Sequence, residues 1–399
     1  MKETLKSADA VFVEGAAESA GGAAETEAAV TVKTTKRHNG RRFAAFMLIF
    51  ILLYNLVAGL LNSNEYISSA NVKGFYQEKK NSLDVVLIGS SEVYYGYSAP
   101  LAWQKYGYTS YNLATAGAAG SLYKSMVKEV VKRQSPKLVI IEVSGYTWGD
   151  HRFKETPQYH NWLDNMEWSP EKIEALNELL TPEERMSYYF PFLTYHQMWK
   201  KPEQVIGTAT LKGWLTINGY SNTKGFKAVS VSDHGKGSDN TRKVHFTAKS
   251  DYHLRQTLDA CREAGIKNVL LLRFPMQTQM IHAENLDKFS EVAKEYGYDY
   301  LNLDKRFAEI GLDVKKDFVD DEHLNVSGLV KLTDYMGAYI TKHYDVKREH
   351  DSETVEHWNT CYRRSQKIIT SCERDFQKGK KQVYYELSTA LFPHPFKSK

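Results

Sequence analysis

A chain of 399 residues, 42% hydrophobic and 25% charged, can bury one core of up to about 250–300 residues plus appendages, so one domain of catalytic size is expected. Its 52 Lys and Arg stand against 48 Asp and Glu, leaving a formal charge of +4. That balance is too even for a dedicated nucleic-acid surface, and no nucleic-acid partner is expected.

In chain order, residues 1–32 are Ala, Gly, Glu and Thr with almost no aromatics. They cannot bury enough apolar surface to offset the entropy of ordering. With the basic cluster Lys33, Lys36, Arg37, Arg41 and Arg42 they make a disordered tail over 1–42. The run FAAFMLIFILLYNLVAGLL, residues 43–61, carries no charge. As a helix it spans about 28 Å, close to a hydrocarbon core of roughly 30 Å, and reads as a single transmembrane anchor. A cleaved signal peptide is the alternative, but signal cores run about 7–15 residues and do not follow a long polar tail. The cations before Phe43 are expected to stay cytoplasmic, which puts everything after Leu61 outside the membrane.

Beyond residue 64, short apolar runs alternate with helical stretches, the pattern of a parallel α/β sheet. Strands are predicted at 84–89 (DVVLIG), 110–114 (SYNLA), 137–144 (KLVIIEVS), 268–275 and 298–304, with helices at 101–107, 121–134, 251–265, 284–297 and 329–344. The stretch 146–250, rich in Trp, Tyr, His and Pro, reads as an insertion with helices around 170–200 and then a long Gly/Ser/Lys-rich loop. The domain is expected to end near 345, leaving 346–399 as a peripheral extension with an amphipathic helix at 353–376. Cys361 and Cys372 could pair only if that segment is not helical, since eleven residues of helix would hold them roughly 16 Å apart. Cys261 completes the set, and the three lack metal-ligand spacing.

The first strand runs straight into Gly89-Ser90-Ser91. Ligands of open α/β sheets bind at the carboxyl ends of strands, so a hydroxyl there is a nucleophile candidate. Serine needs a base within hydrogen-bond reach and a group to orient that base. KKDFVDDEHLNVSG supplies His323 with Asp320 three residues before it, and Asp321 is a rival for the orienting role. Ser91, His323 and Asp320 would then act together.

These blocks resemble the SGNH (GDSL-like) hydrolase superfamily, and more closely its membrane-anchored branch that includes the D-alanyl-lipoteichoic acid biosynthesis protein family. The first block is Gly89-Ser90-Ser91; YNLATAG, ending at Gly117, looks like the second; DDEHLNVSG looks like the last. The similarity covers roughly 80–150 and 250–345. It implies a three-layer, flavodoxin-like fold, Ser91 as nucleophile, and backbone N–H groups of Ser91 and Gly117 in an oxyanion hole. No Gly-x-Asn-Asp block follows the third strand; IIEVSGYTWGD stands there, so either Asn112, Ser144 or a backbone N–H replaces the missing donor, Asn112 first, or catalysis is weak.

The resemblance further implies an esterase or O-acyltransferase working on ester groups of a cell-envelope glycopolymer, with no cofactor, and a membrane acyltransferase as partner. A catalytically silent binding or scaffold protein of envelope assembly is the rival. Phosphoryl transfer has no Gly-rich phosphate loop or acidic metal cluster to support it. Glu92 either tunes substrate charge or sits as an exposed residue on a helix dipole. His196 and Trp199 either line a pocket or pack in the core, and His151, His160 and His245 are scattered, with no metal site among them.

Overall fold

The structure, a computed structural model, describes residues 39–54, 56–58, 66–154, 156–200, 221–231 and 240–384. The expected disordered tail and much of the Gly/Ser/Lys-rich loop lie outside these residues. Two compact units are present, divided at Val57 and Ala58. Among the described residues one helix, Asn39–Ala58, which up to Val57 belongs to the first unit, is long and apolar enough to cross a membrane. Its apolar side chains are exposed, Phe43 at 67% and Leu52 at 61%, as lipid-facing residues would be.

The second unit is built on a five-stranded sheet of β1 (Val85–Gly89), β2 (Ser110–Ala114), β3 (Leu138–Glu142), β6 (Val269–Arg273) and β8 (Asp299–Asn302), in the order β2-β1-β3-β6-β8. Every pair is parallel. Short strands make two small sheets, β4 (Ala228–Val229) with β9 (Val383–Tyr384) and β5 (Thr241–Lys243) with β7 (Gln279–Ile281). Strands β1, β2, β3 and β6 are buried at every position, which is why they read as continuous apolar runs rather than alternating ones. Counting main-sheet strands alone, the order is 2-1-3-4-5. The chain leaves β1 to one side for β2 and then crosses to the other side for β3, so the switch point lies between β1 and β3.

Helices Ala99–Tyr106, Tyr123–Arg133, Ala248–Glu263, Asp287–Tyr296 and Val326–His343 fall where the sequence places them. The insertion forms Pro157–Leu163, Pro170–Leu179 and Pro182–Tyr189. Each opens on a proline, whose missing N–H costs nothing at a first helical position, and Thr181 with Glu184 closes a capping box on the last of them.

The C-terminal extension is not peripheral. Its helix, Ser352–Gln377, buries Trp358, Cys361, Ile369 and Cys372. The Trp358 ring lies 5.7 Å from that of Trp103, and Trp103 donates to Asn359 at 3.0 Å. At its inner face the fully buried Lys224 ammonium lies 2.7 Å from both Glu78 carboxylate oxygens and 3.0 Å from His357 Nε2. The amphipathic pattern was legible; its partners, 130 to 280 residues back along the chain, were not. Because the segment is helical, Cys361 and Cys372 stay apart, and all three cysteines are buried free thiols.

Candidate active site

Position 89, the last of β1, is glycine for a steric reason. A Cβ there would lie 2.5 Å from Glu142 Cβ and 2.6 Å from Val93 Cγ2, well inside the roughly 3.5–4.0 Å of a normal carbon contact. Ser90 then takes the N-cap position of a short helix, Ser91–Gly96, without capping it through its side chain. Ser91 is the first helical residue, so its N–H has no intrahelical acceptor.

The partners arrive from 232 residues away. Phe318 and Leu324 form an antiparallel bridge, and the Val319 N–H donates to the His323 carbonyl at 2.8 Å. Asp320 and His323 therefore sit on one tight turn. Asn325 closes it by accepting from the N–H groups of Ser327 and Gly328 at the start of the helix Val326–His343.

His323 Nε2 lies 2.7 Å from Ser91 Oγ, and His323 Nδ1 lies 2.9 Å from both oxygens of Asp320. Asp320 Oδ1 also accepts the backbone N–H groups of Glu322 and His323, each at 2.9 Å. The imidazole leans on Tyr95, ring centroids 4.5 Å apart. Burial pulls its pKa down, but the Asp320 bond and charge, with Glu92 and Glu322 nearby, outweigh this and hold it above its ordinary value. Asp320 is the mirror case: burial pushes it up, yet its bonds to His323 and the turn keep it below the usual carboxylate range. The line of bonds can take a proton from Ser91 to His323 and stabilise the resulting imidazolium.

Asp321 does not share this role; its carboxylate accepts from Asn240 at 2.6 Å. Gly117 borders the same cleft as Ser91, and its carbonyl accepts from Arg152 at 2.8 Å. Asn112 is a correction. It is the third of the five residues of β2, fully buried, and its amide donates to the Tyr97 carbonyl at 2.7 Å. Two residues short of the strand's carboxyl end, it is committed away from the site. Ser144 is committed too, its N–H to Glu142 and its hydroxyl to Arg273 at 2.5 Å.

Trp148, Arg152, Arg242 and Lys243 go unread in the sequence, and His151 and His245, scattered there, join them at one cleft. The cleft beside Ser91, of about 560 Å³, is bordered by Trp148, His151, Arg152, Arg242, Lys243 and His245. The guanidinium groups of Arg152 and Arg242 lie 4.5 and 5.4 Å from the Trp148 ring centre, and Arg242 is ion-paired with Glu322. These residues meet because β5 pairs with β7, bringing Arg242 beside Met280. A three-residue strand leaves no periodic signal. His160 is elsewhere, bonded to Asp164 and stacked on Tyr188, while on the insertion His196 is half-buried and Trp199 exposed. Glu92 is buried, at 2% exposure, rather than exposed. Among the described residues no group of three or more His, Cys, Asp or Glu could hold a metal ion. Compared with known protein families and with curated proteins, the chain matches none.

Proposed function

We propose that this chain is a membrane-anchored, extracytoplasmic esterase or O-acyltransferase of SGNH-like architecture, acting on ester groups of a cell-envelope glycopolymer. The observation that carries this reading is the unbroken line of hydrogen bonds from Asp320 through His323 to Ser91. His323 Nε2 takes the Ser91 proton as Oγ bonds to the ester carbonyl carbon, and the imidazolium returns that proton to the departing alcohol. Water or a sugar hydroxyl then attacks the acyl-enzyme with the same base, which makes hydrolysis and transfer two endings of one route. The N–H groups of Ser91 and Gly117 hold the developing oxyanion. The sheet supports the reading, since Ser91 follows β1 at the switch point where such sheets bind ligands. So does the cleft, whose Trp148 face and cationic Arg152, Arg242 and Lys243 suit a sugar-bearing polymer. A tethered domain works beside the bilayer, within reach of a membrane acyltransferase that would supply the acyl group.

A silent scaffold is the second reading, favoured by the commitment of Asn112 and Ser144 to other partners. Fluorophosphonate labelling followed by intact-mass measurement separates the two. One adduct on the wild type and none on Ser91→Ala supports catalysis; an unlabelled wild type supports the scaffold.

A further inference from the structure

Behind Ser91 lies a polar cluster that the triad does not use. Glu142, the last residue of β3, is fully buried, as is the side chain of Ser90, and Glu92 is 2% exposed. The Ser90 hydroxyl contacts both acids, Glu92 Oε2 at hydrogen-bond distance and Glu142 Oε2 at 3.3 Å. A hydroxyl has one proton, so it can donate to only one carboxylate. The second contact is a hydrogen bond only if that acid is itself protonated and donates to Ser90 Oγ.

The surroundings do not support two charges here: Glu92 Oε1 is buried with no hydrogen-bond partner. Glu142 has donors only: its Oε1 accepts the Ser144 N–H and its Oε2 accepts the Tyr123 O–H at 2.9 Å. The cation that feels both acids, Arg273, is also buried, but its guanidinium is spent on Asp304 Oδ2 at 2.9 Å and on the Ser144 hydroxyl. The other titratable groups facing the pair are Tyr123, Tyr146, Glu322 and His323. None of these gives a second positive charge when His323 is neutral. Two ionised acids bridged by one hydroxyl are therefore uncompensated.

We propose that Glu92 and Glu142 share a single proton through Ser90, whose Oγ accepts from the protonated acid and donates its own proton to the other. The relay is a positioning device. It fixes the Ser90–Ser91 turn and keeps one negative charge, rather than two, behind the Ser91–His323 pair. Burial, and then the charge of Glu92, push the Glu142 carboxyl up to about 7. A carboxyl raised in the folded state holds its proton where the unfolded chain has lost it. Its contribution is thus full below the ordinary glutamate range of about 4.3 and disappears as pH rises through about 7.

The effect on Ser91 rests on the function proposed above; the shared proton does not, and the full-length chain in detergent tests both. Glutamine at 142 keeps the volume and an N–H donor toward Ser90 at every pH. Between pH 5 and 8.5 the wild type should lose melting temperature relative to Glu142→Gln, and parallel curves would overturn the shared proton. Fluorophosphonate labelling of Ser91 at pH 7 should fall by about 10²-fold in Glu142→Ala, as for a misplacement of about 1 Å, and recover most of that in Glu142→Gln. Equal loss in both variants, with wild type labelled, overturns the positioning role. If wild type is unlabelled while the melting curves diverge, the esterase reading fails and the shared proton stands.

Discussion

Replacing Gly89 by alanine tests whether the end of β1 sets the position of Ser91. The added methyl would meet Glu142 Cβ at 2.5 Å and Val93 Cγ2 at 2.6 Å. Neither is the free end of a flexible chain: one hangs directly on the β3 backbone and the other on the helix that carries Ser91. Relief to a normal carbon separation of about 3.5 Å needs a shift of about 1 Å. Overpacking of this kind costs about 1–3 kcal/mol, a few degrees of melting temperature in a domain this large. If the helix takes up the shift, the 2.7 Å contact between Ser91 Oγ and His323 Nε2 opens beyond hydrogen-bond range, and labelling of Ser91 should slow by about 10²-fold. Gly265→Ala is the control. Its φ of 72° penalises alanine by about 1–2 kcal/mol, but no atom lies within 4 Å of the added Cβ, so stability should fall with no change in labelling rate. A Gly89→Ala protein that labels as fast as wild type would refute the claim that this close approach positions the hydroxyl.

Asp320→Asn should fold yet lose up to about 10⁴ in kcat through the wrong imidazole tautomer, whereas Asp321→Asn should be mild; the opposite ranking would move the orienting role to Asp321. Because His323 must be neutral to accept the Ser91 proton, and its pKa is raised in the folded protein, kcat/KM should climb with pH along a limb centred above about 6.5. A limb centred below that value contradicts the coupling to Asp320. For orientation, a proteinase that degrades the purified domain should digest residues beyond Leu61 on intact cells and spare the tail; protection of the domain until lysis reverses the topology.

The parts of the fold and site that were legible have local signals. Parallel strands buried on both faces announce themselves as apolar runs, and all five main-sheet strands fall within the predicted segments. Ser91 follows a strand-ending glycine, and Asp320 and His323 share one turn, so each half of the triad could be found without knowing the other. Asn112 misled because a strand-end amide and a mid-strand amide look alike when the boundary is uncertain by two residues. Glu142 had a signal that went unused: a carboxylate at the end of a continuous apolar strand is costly unless something satisfies it. Arg242 had none, since only the pairing of β5 with β7 brings it to the cleft.

The packing of the last long helix sets an order of events during synthesis. Ser91 is made 232 residues before the histidine it bonds, an interval of about 10–50 s at ordinary elongation rates of roughly 5–20 residues per second. Trp103, a dozen residues after the nucleophile, must wait longer still for Trp358 and Asn359 to cover it. The emerging chain thus carries a hydroxyl without its imidazole partner until His323 is made, on a framework still incompletely covered until Trp358 follows. A chain cut short after the sheet would lack both the imidazole that bonds Ser91 and the helix that covers Trp103.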